Sequence, residues 1–272
     1  MAHYALHAPF EPDPRFVEHY KNKSFNKKSQ AYASLVEGID KSLGDIISHV
    51  KQLGLGENTV ILFLGENGSA APLPMVDNYS SSAPLKGKKR KHWEGGMRVP
   101  FIAAWVEPND NITCQKETPI ERNSIQQQIG SVLDLYSTLC KVANISPPEN
   151  HISDGFLLQT QLSGKQNTIR EDSFLNHFLH KHNSSYFSSL VKSDWKIIYH
   201  YQVNGTPSYE LYNLKEAPFE VSNLEKENPL QLKIMLSVLK EELDNKNVLY
   251  PEKEGKPFHI IIPELIFRLL NF

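Results

Sequence analysis

The chain has 272 residues, of which 40% are hydrophobic and 22% are charged, and its 29 basic and 31 acidic residues give a formal net charge of −2. This composition supports a buried core and excludes wholesale disorder, while the charge balance argues against a globally basic nucleic-acid binder. No uninterrupted apolar run reaches the roughly 18 residues that a membrane helix requires, so we expect no membrane span. The two cysteines, Cys114 and Cys140, are too few for a disulfide framework, and neither lies in a metal-type C-x-x-C pair.

The N-terminal segment MAHYALHAPFEPDP has no basic region followed by an apolar one, so no signal peptide is visible. Tyr4 to Phe10 is typical of a strand end that runs into a loop, which leaves little room for a first element. One interpretation is that Met1 is not the start of the natural domain.

A helix followed by a buried strand is predicted next. Ser29 can cap a helix that runs to about Leu53, because apolar residues recur between them at spacings of three and four. The run Thr59 to Leu64 is continuous, apolar and rich in β-branched and aromatic residues, which favours a strand buried on both faces in a parallel sheet. Residues 99–106 form a second such run, and residues 124–143 show helical spacing. Helices that alternate with buried strands predict an α/β fold.

The composition shifts in the C-terminal third of the chain. Residues 172–214 contain alternating, strand-like pieces with a turn at Gly205-Thr206-Pro207, which predicts antiparallel strands. An amphipathic helix is predicted over residues 226–244. The chain is therefore expected to have three parts: an α/β domain over residues 1–168, a small α+β subdomain over 169–245, and a tail over 246–272.

Glu66 and Asn67 directly follow the first predicted strand, in the sequence Gly65-Glu66-Asn67-Gly68. Ligands of open α/β sheets bind just beyond the carboxyl ends of strands. A carboxylate beside an amide oxygen offers the hard ligands that suit Ca²⁺ or Mg²⁺. The alternative is a turn in which Asn-Gly supplies a positive φ.

A basic run from Lys86 to Lys91 is either a solvated loop or an anion site, since a lysine ammonium binds phosphate or sulfate as a point charge. The glycines that follow, Gly95 and Gly96, predict a close approach between backbone segments.

Several histidines are open to more than one interpretation. His7 lies in a Leu-His-Ala-Pro loop and is either structural or catalytic. His177, His180 and His182 have no carboxylate or cysteine at matching spacing nearby, so we expect them to line a polar pocket wall rather than to bind a metal.

These pieces together resemble the sulfatases of the alkaline-phosphatase superfamily. YALHAPFEPDPRF is similar to the family's H-x-P loop, and LVEGIDKSLGDIISHVKQLGLGENTVILFLGENG is similar to the helix, strand and metal segment that ends in S-D-N-G. APLKGKKRKHWEGGMRVPFIAAW resembles P-L-R-G-G-K-x-x-x-W-E-G-G-x-R-V-P. DLYSTLCKVANI, DGFLLQTQLSG and YELYNLKEAPFEVSNL resemble later family motifs. The resemblance spans about residues 1–245 and implies an alkaline-phosphatase-like parallel sheet flanked by helices, incomplete here, with a small C-terminal subdomain.

The resemblance implies a role for four residues. Glu66 and Asn67 match the Asp-Asn pair that ligates Ca²⁺, with Glu in place of Asp as a departure from the pattern. Lys89 matches the active-site lysine that binds the sulfate oxygens. His7 matches the histidine that contacts the ester oxygen and protonates the leaving alcohol. His7 and Lys89 are thus the implied catalytic and substrate-binding residues, and the implied substrate is a sulfate ester, favouring sulfated carbohydrate.

Other family features are absent from the 272 residues. Sulfatases carry paired metal-binding aspartates and a C-x-P-S-R or S-x-P-S-R segment, whose first residue becomes formylglycine. Cys114 is followed by QKET and Cys140 by KVAN, and no S-x-P-S-R occurs. The resemblance therefore implies the C-terminal half of an exported sulfatase, inactive alone, with an N-terminal half as its missing partner.

Two competing functions stay open at this stage. One is a phosphodiesterase or phosphatase of the same superfamily, although the K-x-x-x-W-E-G-G-x-R-V-P block favours sulfatases. The other is a non-catalytic remnant that binds an anion or a partner. We expect His7, Glu66, Asn67 and Lys89 to converge at the carboxyl ends of the sheet strands if the sulfatase hypothesis holds.

Overall fold

The computed structural model of the protein describes residues 3–21, 24–74, 77, 80–180, 186–201 and 205–263. The chain divides into two compact units: the first contains residues 1–81 and 98–170, and the second contains residues 82–97 and 171–272. Segment 82–97, which falls inside the first predicted domain, therefore belongs to the second unit.

The described helices and strands follow one another in a mixed α/β order. The helices are α1 (Lys27–Gln52), α2 (Glu94–Met97), α3 (Thr113–Glu117), α4 (Asp134–Val142), α5 (Gln159–Leu162) and α6 (Pro229–Asn245). The strands are β1 (Val60–Leu64), β2 (Phe101–Trp105), β3 (Ser173–Phe178), β4 (Tyr186–Lys192), β5 (Trp195–Tyr201), β6 (Ser208–Asn213), β7 (Glu252–Lys253) and β8 (Lys256–Pro257). In the described part of the chain, no helix is both long enough and apolar enough to cross a membrane.

The long helix predicted after residue 29 is present, but its N-cap differs. Asn26, in extended conformation, accepts a hydrogen bond from the Ser29 backbone N–H at 2.9 Å, so α1 starts two residues before Ser29. The prediction of Ser29 as the cap was wrong because Asn and Ser are equally good caps, and both occur within one turn.

The two apolar strands of the first unit pair with each other in antiparallel register, from Val60 opposite Trp105 to Leu64 opposite Phe101. The predicted parallel arrangement of these two runs was wrong, and so was their burial on both faces, since Phe101 is 41% and Ile102 is 61% exposed. A continuous apolar run indicates strand formation and a capacity for burial, but it contains no signal for strand direction.

The helix predicted over residues 124–143 is only half formed, because α4 begins at Asp134. Before it, the Gln126 side chain accepts hydrogen bonds from the backbone N–H groups of Gln127 and Gln128. The Gln128 side chain in turn pairs with the Asn167 backbone through two hydrogen bonds. Side chains that satisfy nearby backbone groups compete with helix formation.

The second unit contains a four-stranded antiparallel sheet in the order β3-β4-β5-β6, which confirms the strands predicted over residues 172–214. One face of β4 and β5 packs on α6, which confirms the predicted amphipathic helix. The core between them consists of Leu190, Ile197, Tyr199, Tyr201, Leu211, Leu232, Met235, Leu236, Leu239, Leu243 and Ile260. Gly205 of the predicted turn lies in a bend shortly before β6. The apolar end of the tail, residues 264–272, lies outside the described residues.

Candidate functional site

The opposite face of the four-stranded sheet receives residues 82–97, which we call the basic loop. Trp93 of the basic loop packs against a small buried cluster formed by Phe187, Ile198 and Tyr212. The Trp93 indole N–H also donates a hydrogen bond to Glu210 Oε2 at 2.8 Å. The basic loop is therefore held to β5 and β6 by both apolar and polar contacts.

Gly95 and Gly96 let the basic loop fold tightly on itself, as the sequence predicted. The Gly95 backbone N–H donates to the Lys86 carbonyl at 2.7 Å. A Cβ at Gly96 would lie 2.2 Å from the Lys91 carbonyl oxygen and 2.7 Å from that of Lys88. Since Cβ atoms do not tolerate such contacts, α2 can lie against the turn formed by residues 88–91 only with glycine at position 96.

Lys89 lies in this turn and is half-buried. The turn is closed by a hydrogen bond from the Lys91 backbone N–H to the Lys88 carbonyl at 3.0 Å, and Arg90 adopts a φ of 73°. The family lysine identified by resemblance is thus carried on a short turn that is braced by α2.

A buried ion triad holds the N-terminus of α2 to the sheet. Lys196 Nζ lies 2.8 Å from Glu94 Oε1 and 2.8 Å from Glu220 Oε1, and Glu220 Oε2 accepts the Glu94 backbone N–H at 2.7 Å. Burial alone would lower the pKa of Lys196, but the two carboxylates outweigh it and raise the pKa of the ammonium. Burial raises the pKa of Glu220. Because the triad is buried, loss of any one of its three side chains would leave a buried charge without full compensation.

A second polar cluster lies on the same face of the sheet. His200 Nε2 donates to Glu210 Oε1 at 2.7 Å, and His92 Nε2 lies 3.2 Å from the same oxygen. Glu210 Oε2 accepts from Trp93 and from the Tyr212 hydroxyl. Burial would raise the pKa of Glu210, but the surrounding donors, led by His200, hold the pKa of this carboxyl far below its usual range.

Lys86, the first lysine of the basic run, is engaged with this face of the sheet. Its Nζ donates to the Tyr212 hydroxyl at 3.0 Å and to the Glu220 carbonyl at 3.3 Å, and it lies over the Trp93 ring at 4.6 Å. Lys86 thus has a structural role in packing the basic loop on the sheet, which differs from the role implied for Lys89.

In the first unit, His7 is exposed in a bend near the N-terminus. Its Nδ1 donates to the Ala8 carbonyl at 2.8 Å, and the Tyr4 hydroxyl lies 3.2 Å from the same nitrogen. Since Nδ1 is occupied by these contacts, Nε2 is the ring nitrogen available to a ligand.

Glu66 and Asn67 lie in the bend directly after β1, where the Gly65 backbone N–H still donates to the Pro100 carbonyl at 3.0 Å. Glu66 is exposed and Asn67 is half-buried. Their oxygens suit Ca²⁺ chemically, but two side chains fall short of the six to eight oxygens that Ca²⁺ takes. This pair alone therefore does not form a complete calcium site.

The four residues implied by the resemblance are divided between the two units: His7, Glu66 and Asn67 lie in the first and Lys89 in the second. Their convergence stays a prediction.

His177, His180 and His182 were expected to line a polar pocket wall. The Nδ1 atom of His177 forms a hydrogen bond with the Ser188 hydroxyl at 2.6 Å, and its Nε2 donates to the Leu249 carbonyl at 2.7 Å. His180 is exposed, and His182 lies outside the described residues.

Sequence reasoning missed the polar residues on the inner strands. Lys196 and His200 lie within the strand-like run WKIIYHY, and Glu210 lies within YELYNL. A signal existed in the alternation, because Lys196, Ile198 and His200 share the face opposite Ile197 and Tyr199. Two charged or titratable side chains on one face of an otherwise apolar strand indicate that this face meets polar partners.

Comparisons with known proteins agree with the fold and the motifs. A family model described as Sulfatase matches residues 1–145, and one described as N-sulphoglucosamine sulphohydrolase, C-terminal, matches residues 87–248. Mouse N-acetylgalactosamine-6-sulfatase is 35% identical over 135 residues, which cover 49% of this chain and 24% of the relative. The N-acetylgalactosamine-6-O-sulfatase of Bacteroides thetaiotaomicron is 26% identical over 253 residues, which cover 82% of this chain and 42% of the relative.

A solved structure supports the same fold. The crystal structure of Ps i-CgsB matches with a TM-score of 0.69 at 23% identity, over 89% of this chain and 48% of that chain. The predicted alkaline-phosphatase-like α/β fold with a small C-terminal subdomain is thereby confirmed. This chain spans about a quarter to a half of the length of the three proteins described here.

Proposed function

The chain belongs to the sulfatase family, and we propose that it supplies sulfate-binding and metal-binding residues to a sulfuric ester hydrolase that acts on sulfated carbohydrate. The observation that carries the proposal is the basic loop, in which the family's K-x-x-x-W-E-G-G motif holds Lys89 on a turn braced by α2. A turn held in this way fixes the backbone of Lys89, and in this proposal the Lys89 ammonium neutralises charge on the sulfate oxygens.

His7 is proposed to contact the ester oxygen. Its Nδ1 donates to the Ala8 carbonyl, so Nε2 faces the substrate in this proposal. Protonation of a leaving alcohol requires a proton on Nε2, and therefore the imidazolium form of His7.

Glu66 and Asn67 are proposed as two of the ligands of Ca²⁺, which in this family supplies positive charge to the sulfate. The exposed Glu66 carboxylate and the half-buried Asn67 amide provide oxygen donors. Further ligands must come from outside this pair, because two side chains do not complete the coordination that Ca²⁺ takes.

Sulfated carbohydrate is the proposed substrate class because the names of two relatives specify it. The mouse and Bacteroides thetaiotaomicron proteins are named as sulfatases of N-acetylgalactosamine carrying sulfate at position 6. The position of the sulfate and the identity of the sugar in the substrate of this protein are left open by the proposal.

The 272-residue chain alone is proposed to lack turnover. Its sequence contains neither C-x-P-S-R nor S-x-P-S-R, so it has no residue that would become the formylglycine nucleophile. The residues of this chain can bind and orient a sulfate ester, but attack on sulfur requires that nucleophile.

The test compares the chain alone with the chain co-expressed with a sulfatase N-terminal half that carries formylglycine. Turnover of an aryl sulfate, of sulfated amino sugars and of a phosphate diester is measured with and without Ca²⁺. We expect no turnover by the chain alone. In an active mixture, Lys89→Ala lowers kcat/KM for sulfate esters by about 10²–10³-fold, whereas Lys88→Ala, in the same turn, leaves it nearly unchanged.

Three results would contradict parts of the proposal. Calcium-dependent turnover by the chain alone would remove the need for a separate nucleophile. An active mixture in which Lys89→Ala matches the wild type would remove the role of Lys89. A preference for the phosphate diester over every sulfate ester would favour the phosphodiesterase alternative.

A further inference from the structure

A compact group of metal-type ligands lies on the sheet of the second unit, apart from the family's oxygen ligands Glu66 and Asn67 in sequence. Among the described residues, His92, His200 and Glu210 are the one group of three His, Cys, Asp or Glu side chains whose ligand atoms all lie within 4.8 Å of one another. His92 comes from the basic loop, His200 from β5 and Glu210 from β6. Three separate segments thus meet at one point.

His92 is the member of this group whose hydrogen bonding the protein does not satisfy. Its side chain is 8% exposed, and neither ring nitrogen has a hydrogen-bond partner among the described residues, although Nε2 lies 3.2 Å from Glu210 Oε1. Buried polar atoms without partners are uncommon and indicate a specific cause, such as an ion that binds there. The ring is held in place by contacts with Trp93, Phe187 and His200, with centroid distances of 4.2, 5.3 and 4.6 Å.

Glu210 is oriented so that one carboxylate oxygen faces the two imidazoles. Trp93 and Tyr212 donate to Oε2, which leaves Oε1 between His92 and His200. Hydrogen bonds of this kind, which fix a carboxylate from behind, are a regular feature of metal sites. The arrangement is therefore preformed on the protein side.

We propose that His92 Nε2, His200 Nε2 and Glu210 Oε1 bind a divalent transition metal, with zinc as the best match. Ligands at 2.0–2.2 Å from a tetrahedral zinc are about 3.4 Å from one another. The distances from Glu210 Oε1 to His92 and His200, 3.2 and 2.7 Å, require only a small expansion to reach that value. Two imidazoles and one carboxylate suit zinc better than Ca²⁺ or Mg²⁺, which prefer oxygen ligands alone.

Metal binding at this site would displace the proton on His200 Nε2, and the metal would be repelled by the positive charge of Lys86. The proton that His200 donates to Glu210 moves to the other ring nitrogen or to solvent, because zinc binds the unprotonated nitrogen. Lys86 Nζ lies 4.0 Å from Glu210 Oε2 and weakens the attraction for a cation, although it lies beside the oxygen that does not face the imidazoles. The bound metal would fasten the basic loop to β5 and β6.

The test uses the untagged 272-residue chain, freed of metal with a chelator and titrated with ZnCl₂ in a calorimeter. We expect one zinc per chain and an increase in Tm when zinc is added, because a ligand that binds the folded state stabilises it. Co²⁺ in place of Zn²⁺ should give the visible absorption bands of a four- or five-coordinate site.

The decisive variant is His92→Gln, which removes a proposed ligand and, with it, the 3.2 Å contact between His92 Nε2 and Glu210 Oε1. We expect it to weaken zinc binding by at least about 10-fold and to abolish the Tm increase. His180→Gln, which changes an exposed histidine of the same unit, should behave as the wild type. His200→Gln supplies the same test should His92→Gln fail to fold.

Two outcomes would overturn the proposal. One is the absence of stoichiometric zinc binding to the wild-type chain. The other is a folded His92→Gln or His200→Gln variant that binds zinc as tightly as the wild type, since the metal would then lie elsewhere. Neither outcome bears on the proposed sulfatase role, which is measured by turnover with Lys89 variants.

Discussion

The buried carboxylate of Asp134 connects several segments of the first unit. Its Oδ2 lies 2.8 Å from Arg170 Nη1, and the two side chains are 1% and 2% exposed. The same carboxylate accepts the backbone N–H groups of Ser131 at 2.7 Å and Phe156 at 2.8 Å. One residue thereby joins the start of α4 to two segments that are distant in sequence.

Asp134→Ala is expected to destabilise the protein by about 3–5 kcal/mol, because it leaves the Arg170 guanidinium buried without its partner. The matched control is Asp110→Ala, which removes an exposed ion pair with Arg122 at 2.7 Å and should cost at most about 1 kcal/mol. Urea unfolding followed by circular dichroism measures both changes. Equal losses in the two variants would mean that burial does not determine the strength of these pairs.

At the scale of the elements, the sequence pattern correctly predicted those helices and strands that depend on residues close together in the chain. The strands of the second unit and α6 follow from alternation and from helical spacing, and both were predicted correctly. The start of α4 was not, because Gln126 and Gln128 bind backbone groups through side chains that a periodicity analysis counts as neutral. The direction of β2 against β1 depends on the path of the chain between them, which their own residues do not encode.

In the candidate site too, features set by neighbouring residues were predictable, whereas contacts between residues far apart in the chain were not. The tight approach at Gly95 and Gly96 was predictable, since two consecutive glycines are typical of a place where backbone segments touch. The partners of Lys196 were not, because Glu94 is 102 residues away in sequence. A single sequence contains no local signal that two residues so far apart in the chain will form a contact.

Gly96→Ala is the prediction that belongs to the basic loop. The new methyl group would collide with the carbonyl oxygens of Lys91 and Lys88, so α2 or the turn that carries Lys89 must shift. We expect a loss of about 1–3 kcal/mol in the free energy of unfolding, as in other overpacked sites. Gly44→Ala is the control, because Gly44 lies inside α1 with open space around its Cβ position and should gain about 0.5–1 kcal/mol. A Gly96→Ala variant as stable as the wild type would contradict the close approach.

At the scale of the whole molecule, burial is unevenly distributed between the two units. Among the residues that the structure describes, both buried apolar clusters belong to the second unit. In the described part of the first unit, the buried apolar residues are Ala31, Trp105, Val106, Cys140 and Leu158. Since burial of apolar surface is the main stabilising contribution to folding, the second unit should be the more stable part of this chain.

Native-state hydrogen exchange on the full chain measures this difference. We expect the backbone amides of β4 and β5 to exchange at least about 100-fold more slowly than those of β1 and β2, which corresponds to a difference of roughly 2.7 kcal/mol in opening free energy. The physical reason is that β5 lies between two paired strands with Ile197 and Ile198 fully buried, whereas β2 exposes Phe101 and Ile102. Comparable protection of β1, β2 and β5 would show that the apolar strands of the first unit are covered in solution. In that event a sedimentation measurement on the same sample would decide whether a second copy of the chain supplies the cover.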